Sequence, residues 1–232
     1  LAIEIRVLKT LATEKAYLEL LPRFEQAFGH RVTTRYGGTV DVRNWLAAGE
    51  PFDLVIATSG VIDAFTAAGV IATGSRVDIA TSGVGVAVRA GAVKPDISTP
   101  EAFKDALLGA KSIGYSTGPS GEYFIRLLDR IGLADAIKPK LKQVPAGGFV
   151  ATLIANGQAE IGVQQVSELA TFPGVDYLGP LPSDFQMLTI FAGGVSSKAE
   201  QPGAAAALAK FLAAPEAATA FRRFGLEQVR RA

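Results

Sequence analysis

Apolar and polar residues alternate through Ile3-Glu4-Ile5-Arg6-Val7 and the chain stays apolar at Leu8, the two-residue period of a strand. Tyr17, Leu20, Leu21, Phe24 and Phe28 then recur at helical spacing, which predicts an amphipathic helix, and Gly29 falls where such a helix ends. Arg31 to Tyr36 reads as a second strand ended by Gly37-Gly38. Val40 to Ala48 reads as a short helix closed by Gly49, and Phe52 to Ala57 as a buried strand. Thr58-Ser59-Gly60 opens a further helix from Val61 to Ala68, capped by Gly69. Strand and helix in this order imply parallel βαβ units.

Val77 to Ile79 and Val84 to Arg89 read as two strands crossing into a second region, where Pro100 starts a helix at its permitted first turn. Lys111 to Tyr115 is a strand. The turn-rich Ser116-Thr117-Gly118-Pro119-Ser120-Gly121 follows, then a helix through Phe124, Leu127, Leu128 and Ile131 that starts near Ser120. Phe149 to Ala155 gives another helix and Ile161 to Val166 another strand. The apolar strand Met187 to Ala192 returns the chain to the first region, and Ala204 to Leu212 and Glu216 to Phe224 close it as helices. The expected architecture is α/β with two lobes, residues 1–80 with 190–232 and residues 81–189. Two crossings join them, and the ligand is expected in the cleft at the hinge.

Composition narrows the function. With 49% apolar residues, 232 residues fill a core for one large domain or two small ones. Twenty-three basic against 22 acidic residues leave a net charge of +1 and no basic stripe, so a nucleic-acid partner is not expected. The densest basic cluster, Arg222-Arg223 with Arg230-Arg231, reads as cations at a helix C-terminal end. The lack of cysteine removes disulfides, thiolate nucleophiles and cysteine metal sites. No apolar run reaches the ~18 residues of a membrane span. Leu1 is not an initiating methionine, and a removed signal peptide fits it, which implies a periplasmic location. The single histidine, His30, reads as a structural residue entering a strand, so neither a His-based triad nor a metal site is expected, and no cofactor.

Candidate chemistry gathers in four loops that follow strands, where α/β sheets bind ligands. They are Lys9-Thr10-Leu11-Ala12-Thr13, Gly37-Gly38-Thr39-Val40, Thr58-Ser59-Gly60 and Thr117-Gly118-Pro119-Ser120-Gly121. Each leads into a helix, whose first N–H groups and positive dipole end favour an anion. One such loop alone reads as an ordinary N-cap; four in equivalent places point to anion binding. Lys9 at the mouth of the first loop and Arg43 one turn into the second helix are candidate charges, with a solvated face as the alternative for both. Gln164 and Gln165 end an apolar strand, and alternation turns one of them inward, either to a ligand or to bridge backbone. Tyr123 is a candidate hydroxyl reaching the cleft. The site set is thus Lys9, Thr10, Thr39, Arg43, Thr58, Ser59, Thr117, Ser120, Gly121, Tyr123, Gln164 and Gln165.

The segments Phe24-Glu25-Gln26-Ala27-Phe28-Gly29, Leu46-Ala47-Ala48-Gly49-Glu50-Pro51-Phe52-Asp53-Leu54, Leu133 to Leu141 and Phe211 to Ala217 resemble the periplasmic molybdate-binding protein family. The resemblance implies a type II periplasmic binding fold and an oxyanion held by backbone N–H and hydroxyl groups. Family members carry an Ala-Ser first loop and a serine-rich second loop. Here those loops hold no serine and one lysine, a departure that argues against molybdate as ligand. Arg76 to Ala80, Lys94 to Ser98, Tyr115-Ser116 with Ser120-Gly121-Glu122-Tyr123, and Gly162 to Leu169 resemble the branch that includes bacterial aconitate isomerase.

Two functions follow. The first is an extracytoplasmic solute-binding protein of ABC-transporter type that captures an oxyanion or a small organic acid, such as a di- or tricarboxylate, for a permease. The second is an isomerase of the aconitate isomerase type, moving a proton across an allylic system. It needs a base, for which Glu122, Glu168, Lys9, Tyr115 and Tyr123 are candidates, and positive groups to stabilise enolate-like charge. An effector domain of a regulator is a third reading, without an attached helix-turn-helix segment to favour it.

Overall fold

A computed structural model describes residues 3–229; Leu1, Arg230 and Arg231, on which two of the expectations above turn, lie outside the described residues. The chain opens with β1 (Glu4–Thr10), α1 (Glu14–Phe28), β2 (Arg31–Gly37), α2 (Thr39–Ala47), β3 (Leu54–Thr58) and α3 (Ser59–Ala67). Next come β4 (Val77–Arg89), α4 (Pro100–Gly109), β5 (Ile113–Tyr115), α5 (Pro119–Arg130), α6 (Ala134–Ile137) and β6 (Leu141–Gln143). It continues with α7 (Val150–Ala155), β7 (Ile161–Gln165), α8 (Val166–Leu169) and β8 (Val175–Pro180), and ends with β9 (Leu188–Val195), α9 (Pro202–Leu212), α10 (Ala218–Arg223) and β10 (Glu227–Gln228). These elements divide into two compact units. The first reaches to Thr81 and resumes at Thr189; the second is Ser82–Leu188.

In the first unit the strands lie in the order β2-β1-β3-β9-β4, with β10 on β4. β1 runs parallel to β2 and to β3, while β9 is antiparallel to β3. β3 is buried at every residue because it lies inside the sheet with both faces covered, which its unbroken apolar run anticipates. One face holds Ile5, Tyr17, Leu20, Phe24, Ile56, Leu208 and Phe221. The other holds Val42, Leu46, Val55, Ile62 and Ile71. β2 is an edge strand whose Arg31, Thr33 and Arg35 are exposed, polar positions that discourage pairing with another chain. Asp53, buried just before β3, accepts N–H groups from Arg6 at 2.8 Å, Glu200 at 2.9 Å and Gln201 at 3.3 Å, and the Arg6 Nε at 3.3 Å.

In the second unit β7 lies beside β5 and β5 beside β6, all parallel, while β4 is antiparallel to both β7 and β8. Val84, Val86, Phe103, Ile113, Phe124, Leu127, Ile161 and Val163 make its main core, with a smaller cluster around Val150, Ile154 and Leu169. The two strands expected at Val77 to Ile79 and Val84 to Arg89 are one continuous strand. Thr81 pairs with Glu227, and the Gln186 side chain accepts the Val84 N–H at 2.8 Å and donates to the Val84 carbonyl at 3.0 Å, so the backbone stays extended through Ser82-Gly83. The return strand runs Leu188–Val195 instead of starting at Met187. β6, β8, β10, α6 and α8 were not expected. They are short, or, as in β8, half-buried along nearly their whole length and so without alternation. No helix among the described residues is long and apolar enough to cross a membrane.

Candidate functional site

The first unit sets Thr10 opposite Gly37 and Lys9 opposite Ile56, so the carboxyl ends of β2, β1 and β3 share one edge of the sheet. Each end turns almost at once into a helix: through Leu11–Thr13 into α1, through Gly38 into α2, and from Thr58 directly into α3. This edge gathers Lys9, Thr10, Thr39, Thr58 and Ser59. Thr10, Thr13 and Thr58 occupy capping positions, yet none makes a side-chain cap bond, so the ordinary capping role does not account for them. At Gly37 a β-carbon would fall 2.5 Å from Trp45 Cη2 and 2.8 Å from Asp41 Cβ, so the tight turn from β2 into α2 requires glycine.

Lys9 is wholly buried, which corrects the solvated-face reading of it. It lies on β1 opposite Tyr36, and its ammonium sits 5.2 Å from the Tyr17 ring centre and 5.9 Å from that of Tyr36. The Nζ donates to the Thr10 carbonyl at 2.8 Å and to Thr13 Oγ1 at 2.7 Å, fastening the turn that leads into α1. Tyr17 O–H and Thr34 Oγ1 are 2.7 Å apart. Burial pushes both the Tyr17 and the Tyr36 phenol above the ordinary range, against a smaller opposing effect of the bond to Thr34. Both are neutral phenols near pH 7, hydrogen-bonding groups and not phenolate bases.

In the second unit Tyr115 lies opposite both Val163 and Gln143, so β5, β6 and β7 also end together. After β5 the N-cap of α5 is Gly118 and Pro119 is its first residue, so the helix begins one residue before Ser120. Ser120 therefore does not cap it. Ser120 is 1% exposed, with its hydroxyl 3.2 Å from that of Ser116, while Thr117 is half-buried. Gln164 Oε1 accepts the Val150 N–H at 2.8 Å at the start of α7, which is the backbone bridge among its two expected roles. Gln164 and Gln165 are both buried, where alternation had one outward, because β7 is flanked by strands and packed by helices.

Other candidates lie apart from these edges. Tyr123 donates its hydroxyl to the Phe185 carbonyl at 2.8 Å, a bond that ties α5 to the segment before β9. Arg43 and Glu122 are exposed on their helices. His30 packs beside Phe24 and Phe28. Sequence reasoning missed Thr13, Ser116 and the pair Ser82 and Ser167, whose hydroxyls are 3.4 Å apart. Their signal was weak: Ser116 directly follows β5, Ser167 lies in α8 just past β7, Thr13 precedes α1, and Ser82 sits inside β4.

Comparison with known proteins defines the class and then the family. The periplasmic molybdate-binding protein of Azotobacter vinelandii superposes with a TM-score of 0.82 at 18% identity, covering 97% of this chain and 100% of that one. The sulfate-binding protein SubI of Mycobacterium tuberculosis H37Rv superposes with a TM-score of 0.77 at 19% identity, covering 98% and 87%. The fold is that of the type II periplasmic binding proteins. The chain belongs to the bacterial extracellular solute-binding protein family, whose model matches residues 5–227. It is 39% identical over 217 residues to an aconitate isomerase of a Pseudomonas species, covering 91% of this chain and 82% of that protein. It is 25% identical over 221 residues to the molybdate-binding protein ModA of Azotobacter vinelandii, covering 89% and 83%.

Proposed function

We propose that this chain is an extracytoplasmic solute-binding protein that captures a small anion, an oxyanion or a small organic acid, and delivers it to an ABC permease. The observation that carries the reading is the first unit's edge. Three parallel strands end together in three helix starts, above a buried lysine, and the hydroxyls there do not cap the helices. N–H groups at helix starts, hydroxyls and a cation hold an anion without metal or cofactor. A thermal-shift screen over molybdate, tungstate, sulfate, phosphate, dicarboxylates and tricarboxylates tests it. A ligand raises the unfolding temperature by mass action, so one class of anion is expected to do so at micromolar to millimolar concentration. No shift with any of them would overturn the reading.

A second reading, an isomerase acting on a tricarboxylate, is favoured by the 39% identity to an aconitate isomerase. Proton transfer within one substrate needs a base beside an acidic C–H and positive charge for the developing enolate. Lys9 supplies charge; Tyr17 and Tyr36, held as phenols, do not supply the base. Incubation with cis-aconitate followed by proton NMR tests this reading. Appearance of the trans isomer at a rate proportional to protein supports it, and an unchanged spectrum removes it.

A further inference from the structure

The chain passes between the two units twice, at Thr81-Ser82 and at Leu188-Thr189. One side chain of the second unit touches backbone beside both passages. Gln186 stands just before β9 begins, and its amide lies against Val84, just past the first passage. Its Oε1 accepts the Val84 N–H at 2.8 Å and the Met187 N–H at 2.9 Å, and its Nε2 donates to the Val84 carbonyl at 3.0 Å. Accepting from and donating to the same residue is the pattern of a hydrogen-bonded pair in an antiparallel ladder. A glutamine amide carries the same C=O and N–H as a peptide, and here it supplies that pattern. Gly83 makes the approach possible: a β-carbon there would fall 3.1–3.2 Å from the Oε1, Cδ and Nε2 of Gln186.

Strand partners hold β4 along its length on both sides of this point, β10 at Ala80 and Thr81 and β7 from Val84 onward. A backbone ladder lets go only when a strand is peeled away. A side-chain amide lets go by turning about its own torsions, with the strands left paired. The Val84 and Met187 N–H groups share one acceptor atom, so a single turn of Gln186 frees both, although they are far apart in sequence. Gly83, without a side chain, gives the backbone freedom to bend beside that acceptor.

We propose that Gln186 is a releasable clasp between the two passages, which makes them open and close as one joint. Residues that absorb backbone change at such a joint stand far from any chemistry. The clasp needs no ligand and stands whichever of the two functions the protein performs.

Amide hydrogen exchange followed by NMR, on the whole chain without ligand and with small additions of urea, tests it. The proteins are the parent, Gln186→Met and Gly83→Ala. Methionine keeps the length of Gln186 and removes its amide. Alanine at position 83 leaves Gln186 in place and pushes the amide off Val84. In the parent, Val84 and Met187 are expected to lose protection along one curve as urea rises, the mark of a single opening. In Gln186→Met both should exchange about tenfold faster, the scale of a lost hydrogen bond, and Gly83→Ala should shift both in the same direction. Ile113 and Val163, in the core of the second unit, should keep parental protection in both variants. Gly83→Ala decides alone if Gln186→Met does not fold, because its β-carbon meets the far end of a flexible side chain. Separate urea curves for Val84 and Met187 in the parent, or parental protection at both in the variants, overturn the clasp. An equal loss at Ile113 and Val163 overturns it too, since Gln186 would then be a general stabiliser of the second unit.

Discussion

Gly121 packs so closely under Ser116 that a β-carbon on it would lie 1.8 Å from the Ser116 carbonyl oxygen. The nearest obstacle is backbone, which has no rotamer to move aside, so the turn from β5 into α5 exists in this form only with glycine. Gly121→Ala should destabilise the protein by about 3 kcal/mol or more, the scale of forced overpacking with a backbone shift. Urea unfolding followed by circular dichroism checks it; a loss below about 1 kcal/mol would mean that the turn relaxes freely.

The same turn gives Ser120 a structural partner. Its hydroxyl meets that of Ser116 at 3.2 Å in a buried setting, and Gly118 has the capping position. Ser120→Ala should therefore cost about 1 kcal/mol of stability through the lost hydrogen bond and change anion affinity less than it changes stability. Unfolding and titration on the one variant separate the two effects. A large affinity loss with unchanged stability would instead make Ser120 a ligand donor.

Lys9 is wholly buried and fastens the turn into α1, so on the proposed reading it would act on a ligand through its charge and through that turn. Lys9→Met should weaken a carboxylate ligand by about 1.5–3 kcal/mol, the range for interactions of charged groups. Removing the ammonium also leaves the buried Thr10 carbonyl and Thr13 hydroxyl without their donor, so stability without ligand should fall by about 1–3 kcal/mol. Calorimetric titration and thermal unfolding check both halves, and unchanged affinity would reduce Lys9 to a packing residue.

Asp53 links acid stability to the first unit. Burial alone would raise its carboxyl, but the bonds from the Arg6 backbone and side chain and from the Gln201 and Glu200 N–H groups outweigh burial and hold it below the usual carboxylate range. A group lowered on folding adds stability that is present above its unfolded value, near 3.9 for aspartate, and is lost as pH falls through the lower folded value. The parent should thus lose stability progressively below about pH 4. Asp53→Asn should cost about 1–3 kcal/mol at pH 7, the scale of hydrogen bonds to a charged group, since Arg6 is part-exposed and keeps Glu200, and should flatten that acid limb. Urea midpoints from pH 7 to pH 2.5 check the slope; an equal acid limb in both proteins would show that other carboxylates govern it.

The strand and helix order up to Ala67 was legible because period and punctuation agreed: alternation or unbroken apolar runs marked strands, and Gly29, Gly49 and Gly69 marked helix ends. The β4 strand was not, since Thr81-Ser82-Gly83 interrupts the apolar pattern and is held extended by partners far along the chain, Gln186 and Glu227 among them. The candidate site was legible as positions and not as contacts. Strand ends were found from sequence, but a lysine among polar loop residues gives no sign of being folded under two tyrosines. Ser120 likewise gives no sign that its turn places it inside. Where long-range packing decides a side chain's direction, local pattern has nothing to say.

The order of the strands has a consequence for the growing chain. β9, the first unit's late strand, lies between β3 and β4, and the Asp53 carboxylate waits for N–H groups at Glu200 and Gln201. During synthesis at about 5–20 residues per second, β1 to β3 are exposed with an unfilled slot while the whole stretch from Ser82 to Leu188 is made. The second unit, being continuous, is free to fold first. The interval of several seconds is when the bare flank of β3, buried on both faces in the finished protein, is open to the wrong neighbour.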